Sequence, residues 1–465
     1  MKKIISLLLL SVALVSEAES FEVGGILYDK LADTEGECYV TYAKGIDAYY
    51  SGEIEIPSEV EYEGSILTVS AIGEYAFAGC QDIKSVDIPQ SIVTIGRNAF
   101  QGCINISAIS LPDAVTQIPE QAFYGCESLQ KVESPGVRVI GDAAFANCKT
   151  LQELEFNLEI YSIGSSAFRN CLSLQEFSLE EENLLLGEYA FSGCTSLSFV
   201  ALPVSFTSIP DYAFNDCTSL KKIQGTVNVT RIGNNAFSNC SSLVSLELNA
   251  PIEFMGKHAF EMCSSLDLNR ISGKDLTIDD YAFAGCESLE NIELEGVSEI
   301  GKEAFSYASN LRYIRLDGSV KNINAYAFHQ CENIEYIGCF AEQPPKLQET
   351  AFTKSVYSNA TLEVLSGLRL LYRQTPFWSN FNKVEELPDS GVNTGIFRSP
   401  SSMIILEGSL LHISGCEGRV TVYNIEGILV ADKNCMGENI EISLPGKGIY
   451  LVRINEGMTQ KILVR

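Results

Sequence analysis

IGNNAFSNCSSLVSLEL, at 232–248, decides the fold of this chain. Its Ala-Phe pair is one of thirteen, with the phenylalanines at Phe77, Phe100, Phe123, Phe145, Phe168, Phe191, Phe214, Phe237, Phe260, Phe283, Phe305, Phe328 and Phe352. Every interval is 22, 23 or 24 residues. A period of that size marks a solenoid, in which a repeat cannot bury its apolar face alone and stacks on its neighbours. Such chains present long regular surfaces suited to binding.

Other positions hold the same register. Five residues before each Phe stands Ile, Leu or Met, as at Ile72, Ile163, Leu186 and Met255, followed by Gly in eight of the thirteen repeats. Gly there suits a backbone turn. Three residues after the Phe comes Cys in eleven repeats, and three further on Leu or Ile in nearly all. Two more apolar residues follow, spaced as Leu151, Leu154 and Phe156 are. The Ala-to-Cys segment reads as one helical turn, whose i, i+3 spacing turns Phe and Cys inward together. The Leu-x-x-Ile-x-Leu segment ends in a period-2 alternation, a short strand with one buried side. Stacked copies make a parallel sheet with strands about 4.8 Å apart, so thirteen rungs extend on the order of 60 Å.

The pattern I-G-x-x-A-F-x-x-C-x-S-L-x-x-I-x-L-P resembles the BspA-like leucine-rich repeat family of bacterial surface proteins, over residues 21–385. The entry segments FEVGGILYDKL at 21–31 and YSGEIEIPSEVEYEGSILTVSAIGEYAF at 50–77 are similar to that family too. So is the exit, with PP at 344–345 and FWSNFNKVEEL at 377–387, although LEVLSGLRLLY at 362–372 departs from the family's proline-containing strand. The resemblance implies an α/β solenoid with a parallel β-sheet face and one short helical turn per repeat. The expected parts are a signal peptide at 1–18, an N-terminal cap at 19–70, thirteen repeats at 71–355 and a C-terminal cap at 356–387. A linker at 388–403 and a small β-sandwich at 404–465 complete the chain.

The chain carries 60 Asp and Glu against 32 Lys and Arg, a formal charge of -28. Nucleic acid is a poor partner for it, because phosphate binding needs a basic footprint. An anionic membrane surface is disfavoured for the same reason. Lys2 and Lys3, the apolar run at 4–15 and Ser16-Glu17-Ala18 read as a secretory signal with its cleavage site. No later stretch approaches the roughly 18 apolar residues of a membrane-spanning helix.

Fifteen Cys in an exported chain suggest a disulfide framework. The repeat argues otherwise, since eleven of them, from Cys80 to Cys331, share one register, with Ala308 and Ser355 as the two exceptions. Parallel side chains one strand apart do not reach the Cβ separation of about 3.8 Å that a disulfide prefers. A ladder of free, buried thiols acting as small hydrophobes follows. Cys339 falls where other repeats place a strand Leu. Cys38, Cys416 and Cys435 lie outside the ladder, and Cys416–Cys435 is the candidate bridge. No CxxC pair occurs and only three His exist, so no metal site is expected.

After Leu387 the composition changes. PDSGVNTGIFRSPSS at 388–402 reads as linker, and SLLHIS, RVTVYNI, NIEIS and GIYLVRI as alternating strands. The closing GKGIYLVRINEGMTQKILVR resembles the C-terminal sorting domains of type IX secretion. That resemblance implies an export and attachment signal read by the secretion machinery; the plainer alternative is a terminal β-domain without a sorting role.

No nucleophile elbow, phosphate-cradling loop or H-E-x-x-H occurs, so neither catalytic residues nor a cofactor are expected. Function is expected on the sheet face. Its outward positions run Ser85, Ala108, Lys131, Glu153, Glu176, Phe199, Lys222, Ser245, Leu268, Asn291, Tyr313 and Tyr336, with a second series two residues on that includes Arg270, Glu293, Arg315 and Gly338. Arg270, Tyr313, Arg315 and Tyr336 are the candidate binding residues, being of the types enriched at interface hot spots. The resemblance implies adhesion to a protein or glycan on a host or bacterial surface. A surface spacer without a specific ligand is the alternative.

Overall fold

The computed structural model describes residues 20–31, 34–42, 50–156, 159–179 and 181–387, and the strands with adjoining residues between 397 and 464. The expected signal peptide, most of the expected linker and the side chains of Cys416 and Cys435 lie outside the described residues.

The rungs contribute the expected strands, except that of Phe237, where only an isolated bridge joins Ser245 to Lys222. Lys131–Ser134, for example, pairs in parallel with Ala108–Ser110 on one side and Glu153–Phe156 on the other. A second parallel ladder runs through the Ile that precedes each Phe. Gln117–Ile118, Val139–Ile140, Ser162–Ile163 and Leu185–Leu186 form one such sheet. These strands are two residues long, so they have no periodicity of their own to read. The Gly after that Ile has a reason other than a turn. A Cβ on Gly96 would stand 2.3 Å from the Glu74 backbone nitrogen of the preceding rung. At Gly96 the successive backbones pass too closely for a side chain, while five other rungs carry Pro, Asp, Asn or Gln at this position.

The expectation of a helical turn in each repeat is corrected. Ala78 N–H bonds the Tyr75 carbonyl and Cys80 N–H the Phe77 carbonyl, which reproduces the i, i+3 spacing. Yet Tyr75 has φ 57° and Gly79 φ 74°, both left-handed, and every rung from Phe77 to Phe328 repeats this pair. A right-handed helix cannot continue through such residues. The N–H groups of Tyr75, Phe77 and Gly79 instead cross to the carbonyls of Arg97, Ala99 and Gln101 on the next rung, at 3.0, 2.7 and 2.7 Å. The segment is a stack of tight turns joined between rungs. Among the described residues, α-helices of one to two turns occur only at Lys354–Asn359 and Arg369–Gln374.

Phe and the ladder Cys do point inward. All thirteen phenylalanines are buried, and their rings stack in one continuous column. Neighbouring centroids are 5.1 Å apart at Phe77–Phe100 and 5.6 Å at Phe191–Phe214, with rings within 15° of parallel. Tyr50 meets the column at its start, 5.0 Å from Phe77. At its end Phe352 meets Tyr357 and Phe381 edge-on, at 6.0 and 5.7 Å. Buried Trp378 backs Phe381 and donates its indole N–H to the Pro345 carbonyl at 2.7 Å. The ends of the spine are thus closed by aromatic rings from the caps.

The thirteen described cysteines are free and buried. Each ladder thiol from Cys103 to Cys286 donates to the carbonyl of the Phe one rung back, as Cys217 does to Phe191 at 3.1 Å. Cys331 does the same to Phe305 at 3.0 Å. Burial pushes these thiols up, to about 12 at Cys194 and Cys331. Cys339 is core, in register with Leu316. Ser355 is not a member of the ladder: it lies on the helix Lys354–Asn359, partly exposed, with its hydroxyl on Glu332.

The chain divides into two compact units, one of residues up to 363 with 370–384, the other of 364–369 and 385–465. In the second, Phe397–Ser399, Ser402–Glu407, Leu410–Ser414 and Ile440–Ser443 form one antiparallel sheet. Leu429–Met436, Glu417–Asn424, Gly448–Ile454 and Met458–Val464 form another. Leu411, Ile413, Val420, Val422, Ile442 and Val452 share a single buried cluster. The strand Phe397–Ser399 falls inside the stretch expected to be linker.

Candidate functional site

Burial of Leu, Ile and Leu on one side of each strand forces the intervening residues outward. Register then stacks them rung upon rung. Glu176 lies opposite Phe199 and Phe199 opposite Lys222. Asn291 lies opposite Tyr313 and Tyr313 opposite Tyr336. Arg270, Glu293, Arg315 and Gly338 form the parallel row. The four candidate residues therefore gather on the last rungs of one face. Leu268 is a correction to the outward series: it is 7% exposed while Asn269 is exposed. The alternation slips at this rung, and Leu rather than Asn enters the core because an unpaired buried amide is costly.

All four candidates engage neighbours on the same face. Arg270 pairs with Glu295, and Arg315 with Glu293 at 3.2 Å. The Arg315 guanidinium also stands 5.2 Å from the centre of the Phe340 ring. The Tyr313 hydroxyl reaches Glu335 at 3.4 Å, and its ring lies 6.2 Å from that of Tyr336. Tyr336 donates to Glu363, a carboxylate only 4% exposed. Phe340 and Glu363 were not among the sequence candidates. Gly338 was the available signal for the first, since a Cβ there would sit 2.8 Å from the Phe340 ring. Glycine in a strand marks such close approach.

The rest of the face differs in charge. Lys131 bridges Glu133 at 2.6 Å and Glu155 at 2.8 Å. Its hydrogen bonds to Glu133 and Glu155 push the ammonium upward, and Lys131 holds the Glu133 carboxyl below its ordinary value. Among the described residues, Glu153, Glu176, Lys221 and Lys222 have no ion-pair partner, and all four are exposed. Among the described residues no group of three His, Cys, Asp or Glu could hold a metal ion. No helix among them is long and apolar enough to cross a membrane.

The same architecture is found in known proteins. A leucine-rich repeat protein from Bacteroides ovatus is 24% identical over 79% of this chain and all of that one, with a TM-score of 0.59. A leucine-rich cell surface protein from Faecalibacterium prausnitzii is 20% identical over 81% of this chain and 97% of that one, at 0.42. The pneumococcal vaccine antigen PcpA is 18% identical over 80% and 99%, at 0.45. At 24% identity the first of these shows a likeness of fold alone. No curated protein matches the sequence significantly. The BspA type leucine-rich repeat region matches residues 54–174, 161–274 and 269–367, which together take in more than half of the chain. The chain therefore belongs to the BspA-type leucine-rich repeat family.

Proposed function

We propose that this is an exported, surface-displayed repeat protein that binds a protein or glycan of a host or bacterial surface through its strand face. The observation that carries this reading is the register itself, which aligns outward polar and aromatic side chains across successive rungs. Arg270, Tyr313, Arg315 and Tyr336 are the proposed contacts. The basic and apolar N-terminus supports export. Two antiparallel sheets around a shared cluster support a C-terminal β-sandwich, and its closing sequence supports a sorting role.

The test is saturable capture of the mature protein's partner from host-matrix and bacterial-surface extracts, followed by Tyr313→Ala with Arg315→Ala. Affinity is expected to fall with the melting temperature unchanged; an unchanged affinity refutes the placement. The internal pairing of all four residues favours a second reading, a surface spacer, which would recover nothing saturable.

A further inference from the structure

Some charged residues of the strand face neutralise one another, while Glu153, Glu176, Lys221 and Lys222 have no ion-pair partner among the described residues. Lys131 takes Glu133 and Glu155, Arg270 takes Glu295, Arg312 takes Glu335 and Arg315 takes Glu293. In the row Glu176–Phe199–Lys222 two of those four charges, of opposite sign, flank a phenylalanine. Its register is fixed on both sides, Glu176 opposite Phe199 and Phe199 opposite Lys222. Phe199 keeps the two charges two rungs apart, about 9.6 Å at the usual strand spacing, beyond the reach of an ion pair. Neither has a partner among the described residues, and both are exposed. Phe199 is half-buried, and Ser178 and Ala201 in the neighbouring row are small.

We infer that this row is a docking site for an extended polypeptide segment lying along the solenoid axis. The segment carries a basic side chain against Glu176 and an acidic one against Lys222, and its backbone crosses Phe199 between them. In an extended polyproline II segment, with three residues per turn and a rise of about 3.1 Å per residue, residues three apart lie on one side about 9.3 Å from each other, which matches the two charges. A purely basic or purely acidic ligand meets repulsion at one end. This inference rests on the proposed reading of the strand face as the binding face, and adds a position and a ligand chemistry to it.

The test uses fluorescein-labelled peptides on the full-length protein: three repeats of Lys-Thr-Val-Glu, and controls built from Lys-Thr-Val-Lys and Glu-Thr-Val-Glu. The mixed peptide is expected to bind at low salt. Glu176→Lys and Lys222→Glu are each expected to weaken it tenfold or more. The double exchange is expected to restore it, because the reversed charges accept the peptide in the opposite direction. Attraction to a chain of net charge -28 alone predicts no such rescue, and favours the basic control. Absence of rescue, or single variants without effect, overturns the inference. If the mixed peptide does not bind while a captured partner remains sensitive to Tyr313 and Arg315, only this row is refuted. If that partner is also indifferent to strand-face changes, the reading of the face falls with it.

Discussion

Substitution of Cys217 separates two accounts of the thiol ladder. Cys217 is fully buried, and its thiol donates to the Phe191 carbonyl at 3.1 Å. That oxygen also accepts the Cys194 N–H at 3.1 Å, so loss of the thiol leaves it bonded once. Cys217→Ala removes a weak hydrogen bond, about 0.5–1 kcal/mol net. It also removes a methyl-sized group whose transfer and residual void cost about 1–1.5 kcal/mol. The expected loss is about 2 kcal/mol. Cys217→Ser keeps a donor aimed at the same carbonyl and sacrifices mainly the apolar transfer term. If the hydrogen bond matters, the Ser protein is at least as stable as the Ala protein. If the ladder holds only small hydrophobes, the Ser hydroxyl is buried without a partner, at a cost of about 1–3 kcal/mol, and Ser falls below Ala. Urea unfolding of the full chain, followed by far-UV circular dichroism at constant m-value, ranks the two. A Ser variant less stable than Ala by 1 kcal/mol or more refutes the hydrogen-bond account.

Phe214→Ala removes a ring stacked at 5.6 and 5.5 Å on both sides, and should cost about 3–5 kcal/mol in the same assay; a cost below 1 kcal/mol would mean that the column is not the core. Alkaline pH should unfold the chain steeply. Burial raises the Cys194 and Cys331 thiols from 9.0 to about 12. Above pH 9 the unfolded chain loses protons that the folded chain keeps, so the stability is intact below pH 9 and falls between 9 and 12. Each such thiol lowers it by about 1.4 kcal/mol per pH unit. A stability profile flat to pH 11 would contradict this. Tyr307 holds φ 61° while 55% exposed, at a position where five rungs use Gly. Tyr307→Gly relieves a left-handed side chain and should raise stability by up to about 1 kcal/mol, read as an increased melting temperature.

The sequence made the inward side of each rung legible because a period of 22–24 residues repeats Phe, Cys and Leu at fixed offsets. The same spacing misled at the turn. An i, i+3 relation belongs equally to a helix and to a tight turn, and only the left-handed residues distinguish them. Gly79, Gly102, Gly125, Gly193 and Gly285, with Asn147, Asn170 and Asn239, all sit two residues after a Phe with positive φ. Their recurrence marks the turn, since Gly and Asn tolerate that conformation. On the strand face, alternation located Arg270, Tyr313, Arg315 and Tyr336 but not their partners. Phe340 stands at the pattern's closing Pro position and Glu363 on the strand that follows the last Ala-Phe pair, so neither belongs to the outward series. The choice of Cys is hidden for a related reason. Each Phe carbonyl has room for two donors: the Cys N–H of its own rung takes one, and the other must come from the rung that follows. A single repeat does not contain that second donor. Cys is explained only by two repeats in register, so the ladder is a property of stacking rather than of the motif.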